Sequence, residues 1–178
     1  RRRKGNPHRV SSCGNRSKTQ LAGQIGEALV VAELGRKNIV ATAFAGNVPD
    51  IDLLAYKDGK TCALQVKAWR KGSVSFHAAR YIRIDFHGEI QTVTGLKDGL
   101  NPNLIFVFCM IGSRLGEDRF FLLIQRDLQL LIEEGYKSFL DKHGGRRPKN
   151  AQSTHNSVTL EQLARFEDKW QLVEKQLS

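Results

Sequence analysis

The sequence predicts an α/β domain with a mixed β-sheet flanked by helices. Three observations predict it. A stretch of helical spacing runs from Thr19 to Lys37, and three short strand-like segments follow it closely. An uninterrupted apolar run, Leu104–Ile111, then precedes two further helical stretches.

In the first helix Leu21, Ile25, Ala28, Leu29 and Ala32 recur at helical spacing, with Thr19 as N-cap and Gly35 as stop signal. Val30, Val31 and Leu34 occupy the other side, so the helix is expected to pack between other elements. Strands are predicted at Ile39–Phe44, Ile51–Tyr56 and Thr61–Ala68, the last two joined by a hairpin at Asp58-Gly59. Residues 73–94 read as further strand material carrying His77, Arg80, Arg83 and His87. Leu104–Ile111 is expected to be a central buried strand, paired with Phe120–Ile124. Asp127–Lys142 follows as a helix ended by Gly144-Gly145. A basic, polar loop leads to a final helix through Leu160, Leu163, Phe166, Trp170 and Val173, capped by Thr159 or Ser157.

The chain has 178 residues, enough for one domain with its own core. The longest apolar run is too short to span a bilayer, and neither a membrane partner nor a secretory leader is expected. Cys13, Cys62 and Cys109 form no CxxC pair and suggest free thiols in a reducing compartment, cytoplasmic or nucleoid-associated. Twenty-eight Lys and Arg against eighteen Asp and Glu leave a net charge of +10, which points to a polyanionic partner, nucleic acid first. Residues 1–18 hold Arg1, Arg2, Arg3, Lys4, Arg9, Arg16 and Lys18 without an acid, and read as a flexible basic arm ahead of a single domain at 19–178. Arg70, Lys71, Arg80, Arg83, Arg146 and Arg147 are further candidates for phosphate contact.

One constellation carries chemistry. On the predicted second strand Asp50 and Asp52 share a face, and on the third Gln65 and Lys67 share one. The hairpin sets these strands side by side. Glu27 lies on a partly apolar stripe of the first helix, where a carboxylate wants a cation. Singly, each residue has a plainer reading: Glu27 a surface carboxylate, Asp50 a turn residue after Pro49, Lys67 an edge-strand lysine. Their conjunction favours a site.

The segments Gly26-Glu27-Ala28-Leu29-Val30, Pro49-Asp50-Ile51-Asp52-Leu53-Leu54 and Leu64-Gln65-Val66-Lys67 resemble the layout of the PD-(D/E)xK nuclease superfamily, including its Holliday-junction resolvase and QxK homing-endonuclease branches. The resemblance covers residues 19–70. It implies a restriction-endonuclease-like core of αβββαβ type, with Glu27, Asp52, Gln65 and Lys67 as catalytic residues. Asp52, Glu27, Gln65, the Val66 carbonyl and Asp50 would be ligands for Mg²⁺, with Mn²⁺ as substitute. The activity implied is hydrolysis of phosphodiester bonds in double-stranded DNA by a homodimer, one site per strand. Gln65 stands where most members carry Asp or Glu, and an amide oxygen holds Mg²⁺ less strongly. The alternatives are a non-catalytic nucleic-acid-binding module of the same fold, or an RNA-directed nuclease.

Overall fold

The computed structural model describes residues 13–43 and 50–178. Its centre is a five-stranded mixed sheet. Strands β1 (Val40–Ala43), β2 (Leu53–Lys57) and β3 (Lys60–Trp69) form an antiparallel meander. Strand β7 (Ile105–Met110) lies parallel to β3, and β8 (Arg119–Ile124) runs antiparallel to β7. The predicted central strand is therefore β7, buried along nearly its whole length. The turn between β2 and β3 pairs Lys57 with Lys60 and leaves Asp58 and Gly59 between them, both at positive φ. That is the two-residue geometry whose twist suits a hairpin, and Asp-Gly is the dipeptide that tolerates it.

Helix α1 (Cys13–Arg36) covers one face of the sheet. It starts before the predicted Thr19, so Arg16 and Lys18 belong to a helix backbone; residues 1–12 of the predicted arm lie outside the described residues, as do Phe44 and Pro49. Its buried row is Ala22, Gly26, Val30 and Leu34, a four-residue spacing, with Ile25 and Leu29 beside it. Leu21, Ala28 and Ala32, expected on the core face, are exposed instead. A helix apolar on several sides does not declare its core face, and here the choice is set by Gly26. A Cβ built there would lie 2.4 Å from the Ala68 Cβ, so the helix crosses β3 at a distance only glycine permits.

A parallel pair needs a crossover. Where an αβββαβ order places a helix between β3 and β7, the chain builds β4 (Val74–His77), a 3-10 turn (Ala78–Arg80), and a ribbon of β5 (Ile82–His87) and β6 (Ile90–Leu96). These pack on the second face with α2 (Gln125–Lys142). Buried amides bind them there. The Gln129 side chain donates to the carbonyls of Tyr81 (2.8 Å) and Lys97 (2.9 Å), and the Tyr136 hydroxyl donates to Gln91. Helix α2 ends where the Gly145 N–H donates to the Leu140 carbonyl (2.8 Å).

The predicted final helix is broken. Strand β9 (His155–Val158) pairs with β4, and α3 (Leu160–Leu163) is closed by a capping box between Thr159 and Gln162. The chain then leaves the helix and resumes as α4 (Gln171–Gln176). The cause is non-local. Arg119 on β8 holds Glu167 with two hydrogen bonds (2.6 and 2.8 Å), and the Asp168 N–H donates to the Phe120 carbonyl (2.9 Å). The edge of β8 captures the residues that would have continued the helix. Beyond the break, Trp170, Val173 and Leu177 still reach the core, on the face that α1 covers. Among the described residues no helix is long and apolar enough to cross a membrane.

Helix α1 supplies a test of its own seating. Gly26→Ala should destabilise the fold by about 1–3 kcal/mol through overpacking, even though alanine is the better helix former. Gly23 has nothing within 4 Å of its would-be Cβ. Gly23→Ala should therefore stabilise by up to about 1 kcal/mol. Urea denaturation of both variants reads the contrast, and Ala68→Gly should restore part of the loss in Gly26→Ala.

Candidate active site

Leucines 53 and 64 are paired across β2 and β3, and both face α1. One residue earlier the ladder slips. The Asp52 N–H donates to the Leu64 carbonyl (2.9 Å), and the Val66 N–H is taken by the Asp52 carboxylate, Oδ2, at 2.7 Å. A side chain thus completes a ladder that the departing backbone leaves open. Asp52 is thereby fixed at the end of the sheet, where α1 can approach it.

Glu27 makes that approach. Burial first, and the neighbouring Asp52 charge second, hold its carboxyl above the ordinary carboxylate value. Two neighbouring carboxylates of this kind are a pair whose charge a cation would offset.

Gln65 and Lys67 project from the face of β3 opposite α1, since Leu64, Val66 and Ala68 pack with α1 while Ala63 and Trp69 pack on the other side. Gln65 is 8% exposed. Lys67 is half-buried and makes no ion pair among them. Burial pushes its ammonium below its ordinary value; Asp52 and Asp50 oppose this, and Arg80 adds to it.

Asp50 does not share a strand face with Asp52. Strand β2 begins at Leu53, and Asp50 has a left-handed backbone, φ 64°. The alternation expected for the two aspartates fails because Asp50 belongs to a turn. Its carboxylate pairs with Arg80, Nη2 to Oδ1 at 3.0 Å. Asp50, Gln65 and Arg80 line a cavity of about 240 Å³ with Tyr81, Asn101 and Gln125. Gln125 is 3% exposed, and its Nε2 has no partner. Tyr81, Asn101 and Gln125 escaped the sequence reading. The signal for Gln125 was an amide directly after the apolar run Phe120–Ile124, where the strand gives way to a helix.

The other basic candidates divide. Arg70 and Lys71 are exposed just beyond the end of β3. Arg83 pairs with Asp98 (2.7 Å) and Arg146 with Glu89 (2.8 Å). Arg147 is committed to the fold: its guanidinium lies over the Tyr136 and Phe139 rings, at 4.5 and 4.6 Å, and donates to the His155 carbonyl.

Glu27, Asp52 and Gln65 offer two carboxylates and an amide oxygen, hard donors of the kind a divalent cation takes. One Asp52 oxygen is engaged with Val66. Among the described residues no group of three or more His, Cys, Asp and Glu side chains gathers to hold a metal. Glu27 reaches Asp52 from the α1 side of the sheet, whereas Gln65 projects from the other face.

A half-buried, unpaired lysine should cost stability. With its pKa lowered from 10.5, the folded state releases the Lys67 proton at lower pH than the unfolded state. Stability must then rise with pH between the lowered value and 10.5, and the full penalty is present below that window. Lys67→Met is expected to raise Tm at neutral pH, with the advantage shrinking as pH climbs through the window. Thermal melts of both proteins across that range check it.

No family model matches the chain. No curated protein matches it either. Among solved structures it is similar to a bacterial homing endonuclease, I-Ssp6803I, at 12% identity over 88% of this chain and 93% of that one, with a TM-score of 0.49.

Proposed function

We propose that the protein is a metal-dependent nuclease that hydrolyses phosphodiester bonds in double-stranded DNA, belongs to the PD-(D/E)xK superfamily, and acts as a homodimer. The observation that carries the reading is the meeting of Glu27 and Asp52 beside Lys67, which makes no ion pair among the described residues, on the strand that also bears Gln65. The +10 charge of the chain supports a polyanionic substrate.

Glu27, Asp52 and Gln65 would hold Mg²⁺, or Mn²⁺ in its place, with the Val66 carbonyl and Asp50 as further ligands that the family resemblance implies. Bound there, the ion would acidify a water and offset charge on the phosphate. Asp52 serves twice, since its second contact keeps the β3 backbone at Val66 in place. Lys67, whose ammonium burial pushes below its ordinary value, would position the attacking water through Nζ. Gln65 contributes an oxygen without charge, which leaves the electrostatic work to the two acids.

A second reading is a nucleic-acid-binding module of the same fold that does not cleave. Gln65 in place of a carboxylate favours it, as does the lack of a three-acid cluster among the described residues.

Duplex DNA, a four-way junction and structured RNA, each incubated with Mg²⁺ and with EDTA, separate these readings. Metal-dependent cutting of the duplex is expected; binding with no cutting of any substrate would leave the module, and cutting of RNA alone would move the substrate class. Lys67→Ala is expected to lower cleavage by at least about a hundredfold, the scale of a lost acid–base group, with binding retained. In Asp52→Asn the amide oxygen can still accept from Val66, so the fold should persist while calorimetry finds metal binding lost. An Asp52→Asn protein with wild-type metal affinity would remove Asp52 from the ligand set.

A further inference from the structure

Arg80 is anchored at its root and exposed at its tip. It ends the 3-10 turn Ala78–Arg80, in the crossover between β3 and β7. Hydrogen bonds hold that turn from several sides. The Ala78 N–H donates to the Thr154 carbonyl (2.7 Å) and the Tyr81 N–H to the Ala78 carbonyl (2.8 Å). The Lys97 N–H and the Gln129 Nε2 both donate to the Tyr81 carbonyl, at 2.9 and 2.8 Å. The Arg80 side chain is 65% exposed and extends to the mouth of the cavity that Gln65 lines.

Its one ion-pair partner among the described residues is Asp50, whose carboxylate is itself 53% exposed. The contact is single, one nitrogen to one oxygen, so the guanidinium's paired donors are not matched. An exposed pair of this kind, open to water on both sides, holds only weakly. A guanidinium fork fits the two oxygens of a phosphate better than a single carboxylate oxygen. Asp50 is held two residues from Asp52 by a left-handed turn, so its carboxylate waits at the same doorway through which a backbone phosphate would reach Lys67.

We infer that Arg80 clamps the DNA phosphate under attack, and that Asp50 occupies the guanidinium until this phosphate displaces it. The inference rests on the nuclease reading above and adds to it a phosphate contact supplied by the crossover and a resting-state competitor for it. Exchange breaks one exposed ion pair and forms a two-pronged one, with no covalent step. It explains why a flexible arginine stands on so firmly anchored a turn: the anchor sets the reach of the arm, and the exposed pairing keeps the arm aimed.

The test is a double-mutant cycle with a fluorescent duplex DNA, read by anisotropy in EDTA so that nothing turns over. Arg80→Ala is expected to weaken binding by roughly tenfold or more, as loss of hydrogen bonds to a charged group does. Asp50→Asn keeps a residue tolerant of the left-handed turn and should tighten binding about two- to fivefold. In the Arg80→Ala background, Asp50→Asn should change nothing. Arg80→Lys should recover part of the affinity but little of the single-turnover cleavage rate with Mg²⁺. Equal tightening by Asp50→Asn with and without Arg80 would reduce Asp50 to bulk electrostatics and overturn the exchange, leaving the nuclease reading in place. Intact coupling in a wild-type protein that cuts nothing would instead retire the hydrolytic role and keep the exchange. Failure of the wild type to bind the duplex would overturn both.

Discussion

The contact on which the site depends is the hydrogen bond from the Val66 N–H to the Asp52 carboxylate, 2.7 Å long. It lies where β2 parts from β3, and without it a backbone donor in the middle of the central sheet would be left unpaired. The bond fixes the acid in the plane of the sheet rather than on one face. That is why a helix packed on one side and a lysine projecting from the other can both lie near the same carboxylate. Gly26 is its counterpart on the helix, since only a residue without a Cβ brings α1 close enough to β3 for Glu27 to feel Asp52.

The two faces of the sheet divide the labour. The face under α1 is apolar and well filled, a support. The other face carries Gln65 and Lys67, and its cover is the crossover of short strands held by Gln91, Gln129 and Tyr136. In the cavity there, the buried Nε2 of Gln125 has no hydrogen-bond partner among the described residues. Away from the cavity the Gln129 amide is paired, whereas Trp69 Nε1 and Asn156 Nδ2 also lack partners among the described residues.

Local chemistry made much of this legible in advance. Asp58-Gly59 announced the hairpin, and the hairpin's register put Asp52 beside the Gln65–Val66 stretch. The period-two pattern of β3 correctly separated Gln65 and Lys67 from Leu64 and Val66. The misreadings were decided by distant partners. Asp50 looked like strand because its neighbours were apolar, but it turns left-handed and pairs with Arg80 from another element. The last helix looked continuous because Leu160, Leu163, Phe166, Trp170 and Val173 keep helical spacing, yet Arg119 and the edge of β8 pull out Glu167 and Asp168 between them. The core face of α1 was ambiguous because apolar residues surround the helix, and the decisive residue was a glycine, which hydrophobic patterning does not count.

The two-residue turn at Asp58-Gly59 also bears on the order in which the chain assembles. Closing it pairs β2 with β3 over a short loop, so the bond from Val66 to Asp52, fourteen residues apart, costs little chain entropy. The pairing of β3 with β7 must enclose the whole crossover, and such long-range parallel contacts come late. The acid end of the site is therefore expected to form as part of an early local unit, and the wall bearing Arg80 to close over it afterwards. Pulse-labelled hydrogen exchange would read that order directly: early protection of the β7 amides, ahead of those in the hairpin, would reverse it.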